Sequence, residues 1–145
     1  MHLDPEKLTL FLFVHPLCPC TRASLQELIE IRAATSNKLT VLVVFTIPAG
    51  VPPGWEKGDL WTLAVKTKGL HVVRDQDGEE ARRFGARGSG HVLLYNPIGE
   101  LLFSGGITPS RGREGNNLGH EAVIDFVLSG YSPISRTPVF GCSLL

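Results

Sequence analysis

The sequence predicts an α/β domain: one central mixed β-sheet with helices packed against it. Three observations carry this. Apolar, β-branched runs alternate along the chain with segments whose apolar residues recur at helical spacing, the pattern of strands joined by helical crossovers. Two of the runs, residues 8–14 and 39–47, are apolar almost throughout, as strands covered on both faces are. Two later runs are separated only by Asn96-Pro97-Ile98-Gly99, a turn that sends the chain back antiparallel.

Taken in order, Leu8 to Val14 is the first strand. His15 to Cys20 is a turn holding two prolines. Thr21 to Ala34 is an amphipathic helix, with Leu25, Leu28 and Ile29 on one side and Gln26, Glu27 and Glu30 on the other. Leu39 to Ile47 is the strongest strand in the chain. Pro48 to Lys57 carries three prolines and two glycines and is a loop. Asp59 to Thr67 is a short helix with Asp59 as its cap, and Leu70 to Arg74 a short strand. Asp77 to Phe84 is a short helix stopped by Gly85. His91 to Tyr95 and Glu100 to Ser104 form the hairpin. Gly105 to Leu118 is a long polar loop, and His120 to Ser129 is helical, with Ala122, Val123, Phe126 and Val127 as its apolar face. The order is β-α-β-α-β-α-β-β-α in a single domain, 1–145, with residues 130–145 as a tail expected to pack back on it.

The chain of 145 residues is long enough to bury a core without disulfide staples or a structural metal. It carries 14 basic and 14 acidic side chains, formal net charge zero, with no basic stripe. That argues against a nucleic-acid partner. No apolar run spans a bilayer, so no membrane insertion is expected of this chain as given. Of three cysteines, two form Cys18-Pro19-Cys20 and the third is Cys142. An odd number is not a disulfide framework. It points to a reactive pair or to a metal site.

Three stretches carry a family resemblance. Leu10-Phe-Leu-Phe-Val-His-Pro-Leu-Cys-Pro-Cys20 is a strand leading into a cysteine turn and a helix. Val73-Arg-Asp-Gln-Asp-Gly-Glu-Glu-Ala-Arg-Arg-Phe-Gly-Ala86 reads as strand, turn and helix, and Gly88-Ser-Gly-His-Val-Leu-Leu-Tyr-Asn-Pro-Ile-Gly-Glu100 as the hairpin. Together they resemble the thioredoxin-like superfamily, in its TlpA-like and peroxiredoxin-like branch. HPLCPCTRASLQEL, LLFSGGITPSRGREGNNLG and TPVFGC are similar, more narrowly, to bacterial RedB-type thioredoxin-like proteins. The resemblance implies a thioredoxin-like fold, an extracytoplasmic location, and a partner that is a protein or small-molecule thiol or disulfide. Two departures stand out. The family carries C-x-x-C where this chain has C-x-C, so either Leu17 stands at the usual nucleophile's place or the loop is one residue shorter. The family's cis-proline position reads Gly90, followed by His91. The resemblance places Gly90 and His91 beside the cysteine turn, with Pro19, where a substrate binds.

Local physics gives Cys18 its own reason to react. Pro19 keeps its predecessor out of the α region and is favoured as a first helical residue. Cys18 is then an N-cap whose thiolate accepts from free N–H groups at the positive helix end, which lowers a thiol pKa. Ser24-Leu25-Gln26-Glu27 offers a later capping box, and on that reading the cysteines sit inert in a loop. A Cys18–Cys20 disulfide is feasible but small and stiffened by Pro19, hence oxidising.

Three functions follow. In a thiol–disulfide oxidoreductase with no cofactor, Cys18 attacks and Cys20 resolves. In a metal-handling or sensing domain, Cys18 and Cys20, joined by Cys142 or His91, bind copper or zinc. The third reading is a scaffold that only binds partners. The tail is long enough to cross the domain, so Cys142 is expected to approach Cys18 and Cys20, as a resolving thiol or as a third ligand. The alternative for Cys142 is a lone free cysteine. His2, His15, His71 and His120 read as surface or capping residues, as do Arg82, Arg83 and Arg87. Arg111, Arg113, Glu114 and Asn116 make the polar loop a second candidate site for an anion or partner.

Overall fold

The computed structural model describes residues 1–144. Five strands form one sheet in the order β3-β2-β1-β4-β5. They are β1 (Leu8–Val14), β2 (Leu39–Ile47), β3 (Leu70–Gln76), β4 (His91–Tyr95) and β5 (Leu101–Gly105), with helices α1 (Cys20–Thr35), α2 (Asp59–Lys66), α3 (Glu79–Phe84) and α4 (Leu118–Ser129). β1, β2 and β3 are parallel, joined through α1 and α2, while β4 and β5 run antiparallel. The sheet is therefore mixed, as the run-and-turn pattern predicts.

Both faces of β1 are covered, which explains its unbroken apolar run. Leu10, Leu12 and Val14 point to one face and pack with Leu25, Leu28 and Ile31 of α1 and Val123 and Phe126 of α4. Phe11 and Phe13 point to the other, where Val44, Ala81, Ala86, Leu93 and Leu144 meet them. At ~1.5–3 kcal/mol per fully buried large apolar side chain, these two layers supply most of the drive to fold.

Element ends differ from expectation for local reasons. α1 begins at Cys20, because Pro19 already has helical φ/ψ of −58°/−28°. Gly58, not Asp59, precedes α2, and Asp59 lies in its first turn. β3 runs on to Gln76 because its parallel register with β2 carries Asp75 and Gln76 along, which hydrophobicity cannot show. α3 starts late because Asp77 and Gly78 both have positive φ. The carboxylate of buried Asp75 accepts the N–H groups of Glu80 and Ala81. α4 begins two residues early, with Asn117 accepting from the His120 N–H.

After α4 the chain runs beside β5, where Ser104 N–H donates to Ser135 and the Ser104 carbonyl accepts from Thr137. It then crosses to residues 87–89. Ser89 N–H donates to the Cys142 carbonyl at 2.7 Å and Leu144 N–H donates to the Arg87 carbonyl at 2.9 Å. The segment thus covers an otherwise open sheet edge and ends with Leu144 buried.

Candidate active site

The site forms where β1 ends and α1 begins. Cys18 N–H donates to the His15 carbonyl and Thr21 N–H to the Cys18 carbonyl, closing the turn. Cys18 and Cys20 are both buried, Cys142 only partly. Cys18 Sγ lies 2.9 Å from Cys142 Sγ and 3.4 Å from the Cys142 amide nitrogen. The structure thus brings together the two ends of the sequence.

Ser89 holds this arrangement. Its hydroxyl accepts from His15 N–H at 2.9 Å and lies 2.9 Å from Thr21 Oγ1, whose own proton goes to the His15 carbonyl. Ser89 therefore donates to Thr21, and its amide holds Cys142. A single buried serine joins turn, helix and tail. The tail approaches so closely that a Cβ on Gly141 would stand 1.9 Å from the Ser89 carbonyl oxygen. Only glycine fits beside the cysteine there.

Burial works against a charge on Cys18. The Cys142 thiol, the N–H groups of Cys142 and Cys20, and the Cys20 thiol outweigh it, bringing the Cys18 pKa down to about 7. Cys20 is held above the usual thiol range by burial and then by the neighbouring Cys18 charge, with Arg111 and the Gly112 N–H opposing. Cys142 is pushed up first because it gives its thiol proton to Cys18, then by burial. The proton between the two sulfurs therefore belongs to Cys142 once Cys18 ionises. No side chain caps α1, and Pro19, not Cys18, stands at the N-cap position; of the first-turn N–H groups, that of Cys20 favours the Cys18 thiolate. Ser24 lies inside the helix, not at its start.

An open cavity of about 280 Å³ reaches Cys18, walled by Leu17, Pro19, Leu60, Arg22 and Asp59. Cys18 alone of the three cysteines lines it. Leu17, at the position of the family nucleophile on one alignment, is exposed and apolar.

The remaining expected residues sit as follows. Gly90 has φ +98°, and a Cβ there would come within 2.9 Å of Ser24 Oγ. Proline, fixed near −65°, cannot take that conformation. Gly90 also donates its N–H to the Phe13 carbonyl, which fixes it at the end of β1. His91 pairs across from Phe13, and its Nε2 lies 2.8 Å from Ser104 Oγ. Burial, then Arg136, lowers its pKa. Among the described residues its ring bonds to Ser104, not to a cysteine. The His/Cys/Asp/Glu group there whose ligand atoms all lie within 4.8 Å is Glu27, Glu30 and His120, without the cysteines.

Two groups at the site escaped the sequence reading. Ser89 sits in Gly88-Ser89-Gly90, and a polar residue between two glycines before a strand was its signal. Arg111 was seen only as part of a polar loop. Its Nη2 lies 3.4 Å from Cys142 Sγ. That loop is tied down by Asn117, whose amide reaches Glu27, Ile107 and Gly115, and by His120 Nδ1 at 3.0 Å from buried Glu27.

No family model and no curated protein matches the chain. Solved structures do. An uncharacterized conserved protein from Geobacillus kaustophilus superposes with a TM-score of 0.76 at 18% identity, covering 96% of this chain and 77% of its own. The exposed lipoprotein thioredoxin of Streptococcus pneumoniae gives 0.60 at 19%, covering 85% and 84%. The N-terminal domain of PilB from Neisseria gonorrhoeae gives 0.61 at 17%, covering 92% and 83%. With the mixed sheet and the cysteine turn at the head of α1, these likenesses show that the chain has a thioredoxin-like fold.

Proposed function

We propose that the protein is a thiol–disulfide oxidoreductase in which Cys18 is the attacking thiol of the Cys18-Pro19-Cys20 turn. One observation carries the reading: a second thiol stands 2.9 Å from Cys18, which also lines an open cavity and has its pKa brought to about 7. The thiolate is the nucleophile in disulfide exchange, and a pKa near ambient pH is the best compromise between ionised fraction and nucleophilicity. A partner thiol at hand converts the mixed disulfide into an internal one. The substrate is a protein or small-molecule disulfide or thiol. Thioredoxin-fold neighbours, one of them a lipoprotein thioredoxin, and the RedB-like sequence stretches favour the same chemistry and an extracytoplasmic site of action.

The test is a thiol titration of one fresh sample. Mild oxidation should remove two of the three thiols, and a dithiol reductant should restore them. Irreversible or absent loss overturns the reading. The same sample decides the copper or zinc alternative: stoichiometric metal after purification, lost with a chelator together with thiol protection, would put the cysteines to work as ligands instead.

A further inference from the structure

We propose that Cys142, carried in by the C-terminal tail, and not Cys20, is the thiol that resolves a disulfide formed on Cys18. The inference rests on the oxidoreductase reading above and names its second cysteine.

Distance favours it first. The Cys142 sulfur, at 2.9 Å, is less than an ångström from the ~2.05 Å of a bonded pair. Position favours it next. The tail is pinned at 87–89 by two backbone hydrogen bonds on either side of Ser143, Leu144 is buried beyond it, and Gly141 lets the strand lie against Ser89. Cys142 is thereby delivered to one place. Cys20 belongs to the first turn of α1 and is buried, so bonding it to Cys18 means distorting the helix start across the stiff Pro19. Charge favours it last. The Arg111 guanidinium, 3.4 Å from Cys142 Sγ, stabilises the thiolate that Cys142 must become in order to attack, and gives the polar loop a task.

The chemistry balances. The Cys18 thiolate attacks a disulfide R–S–S–R′, forming the Cys18–S–S–R bond and releasing R′–S⁻. That thiolate takes the Cys142 proton. The Cys142 thiolate then attacks Cys18 Sγ, and R–S⁻ leaves. Two electrons pass from the two cysteines to the substrate, which departs as R–S⁻ and R′–SH. A dithiol reductant returns the Cys18–Cys142 disulfide to its starting state.

Trypsin makes the pairing readable. Cleavage after Lys7, Arg22 and Arg136 puts Cys18 and Cys20 in residues 8–22 and Cys142 in residues 137–145. The reduced full-length protein is mixed with glutathione disulfide, quenched by alkylation at intervals and digested under non-reducing conditions. The expected product joins the two peptides with Cys20 alkylated. In Cys142→Ser the Cys18–glutathione adduct should persist at least about tenfold longer, whereas Cys20→Ser should resolve it at the wild-type rate. Unlinked peptides with a Cys18–Cys20 bridge, together with wild-type resolution in Cys142→Ser, overturn the proposal while sparing the oxidoreductase reading. A failure of Cys18 to take up glutathione in the double variant Cys20→Ser/Cys142→Ser sinks that reading and this proposal with it.

Discussion

At the cysteine turn the deciding quantity is the proton affinity of one sulfur. Cys18 stays near pH 7 only while hydrogen-bond donors surround it, because burial alone drives a thiol the other way. The rate of Cys18 alkylation by iodoacetamide in Cys20→Ser should therefore rise with pH and level off above an inflection near 7. Cys142→Ala removes one donor, so the inflection should climb towards the unperturbed 8.5 or so, and Cys18 should react more slowly at neutral pH. An unchanged inflection would show that the tail does not tune the nucleophile. The reactivity of Cys18 was legible because Cys-Pro ahead of an amphipathic helix is a local signal. Its main thiol donor, Cys142, was expected there from the reach of the tail alone, since nothing near residue 18 in the sequence points to residue 142. Ser89, which joins them, is one short serine whose role depends on three segments meeting.

Among the elements, the strands were readable and the caps were not. A strand covered on both faces shows itself as an apolar run, and β1 and β2 begin and end where those runs do. A helix start depends on which of several polar side chains turns back to the chain. Asp75 serves α3 from inside a strand, while Asp77, where the helix was expected to begin, has a positive φ. Asn117 was passed over within a polar loop, yet it caps α4 and holds that loop to Glu27. Asn117→Ala should cost about 1–2 kcal/mol from the lost cap alone. Asn117→Asp keeps the cap oxygen but turns lone pairs towards Glu27 and two carbonyls, so it should be no less damaging. Urea unfolding of the two variants checks the order. An aspartate variant as stable as wild type would mean the amide donors carry no weight.

At the scale of the whole molecule, the two faces of the sheet are unequally covered. α1, α2 and α4 supply one core layer, while the face of Phe11 and Phe13 is covered, among the described residues, by the six-residue α3, by Met1 and Leu3 and by what the tail brings. Leu144 is thus structural cover as well as an anchor for Cys142. Leu144→Ala should lower stability by about 2–3 kcal/mol, seen as a lower urea midpoint with an unchanged slope, and should also slow closure of any Cys18–Cys142 disulfide. Loss of stability without a change in closure would separate the two roles. The tail has no periodicity to read, since it is held by backbone bonds to 87–89 and 104 rather than by an amphipathic face. Its docking also orders events in time. Cys18 and Cys142 are separated by 124 positions, and a chain emerges from the ribosome N-terminus first. While the chain is being made, Cys18 has only Cys20 as a thiol neighbour of its own. The partner that completes the site is synthesised 124 residues after the nucleophile. A prematurely terminated or C-terminally clipped chain would keep its sheet and its cysteine turn, yet leave the maker with a nucleophile and no built-in means of releasing what it captures.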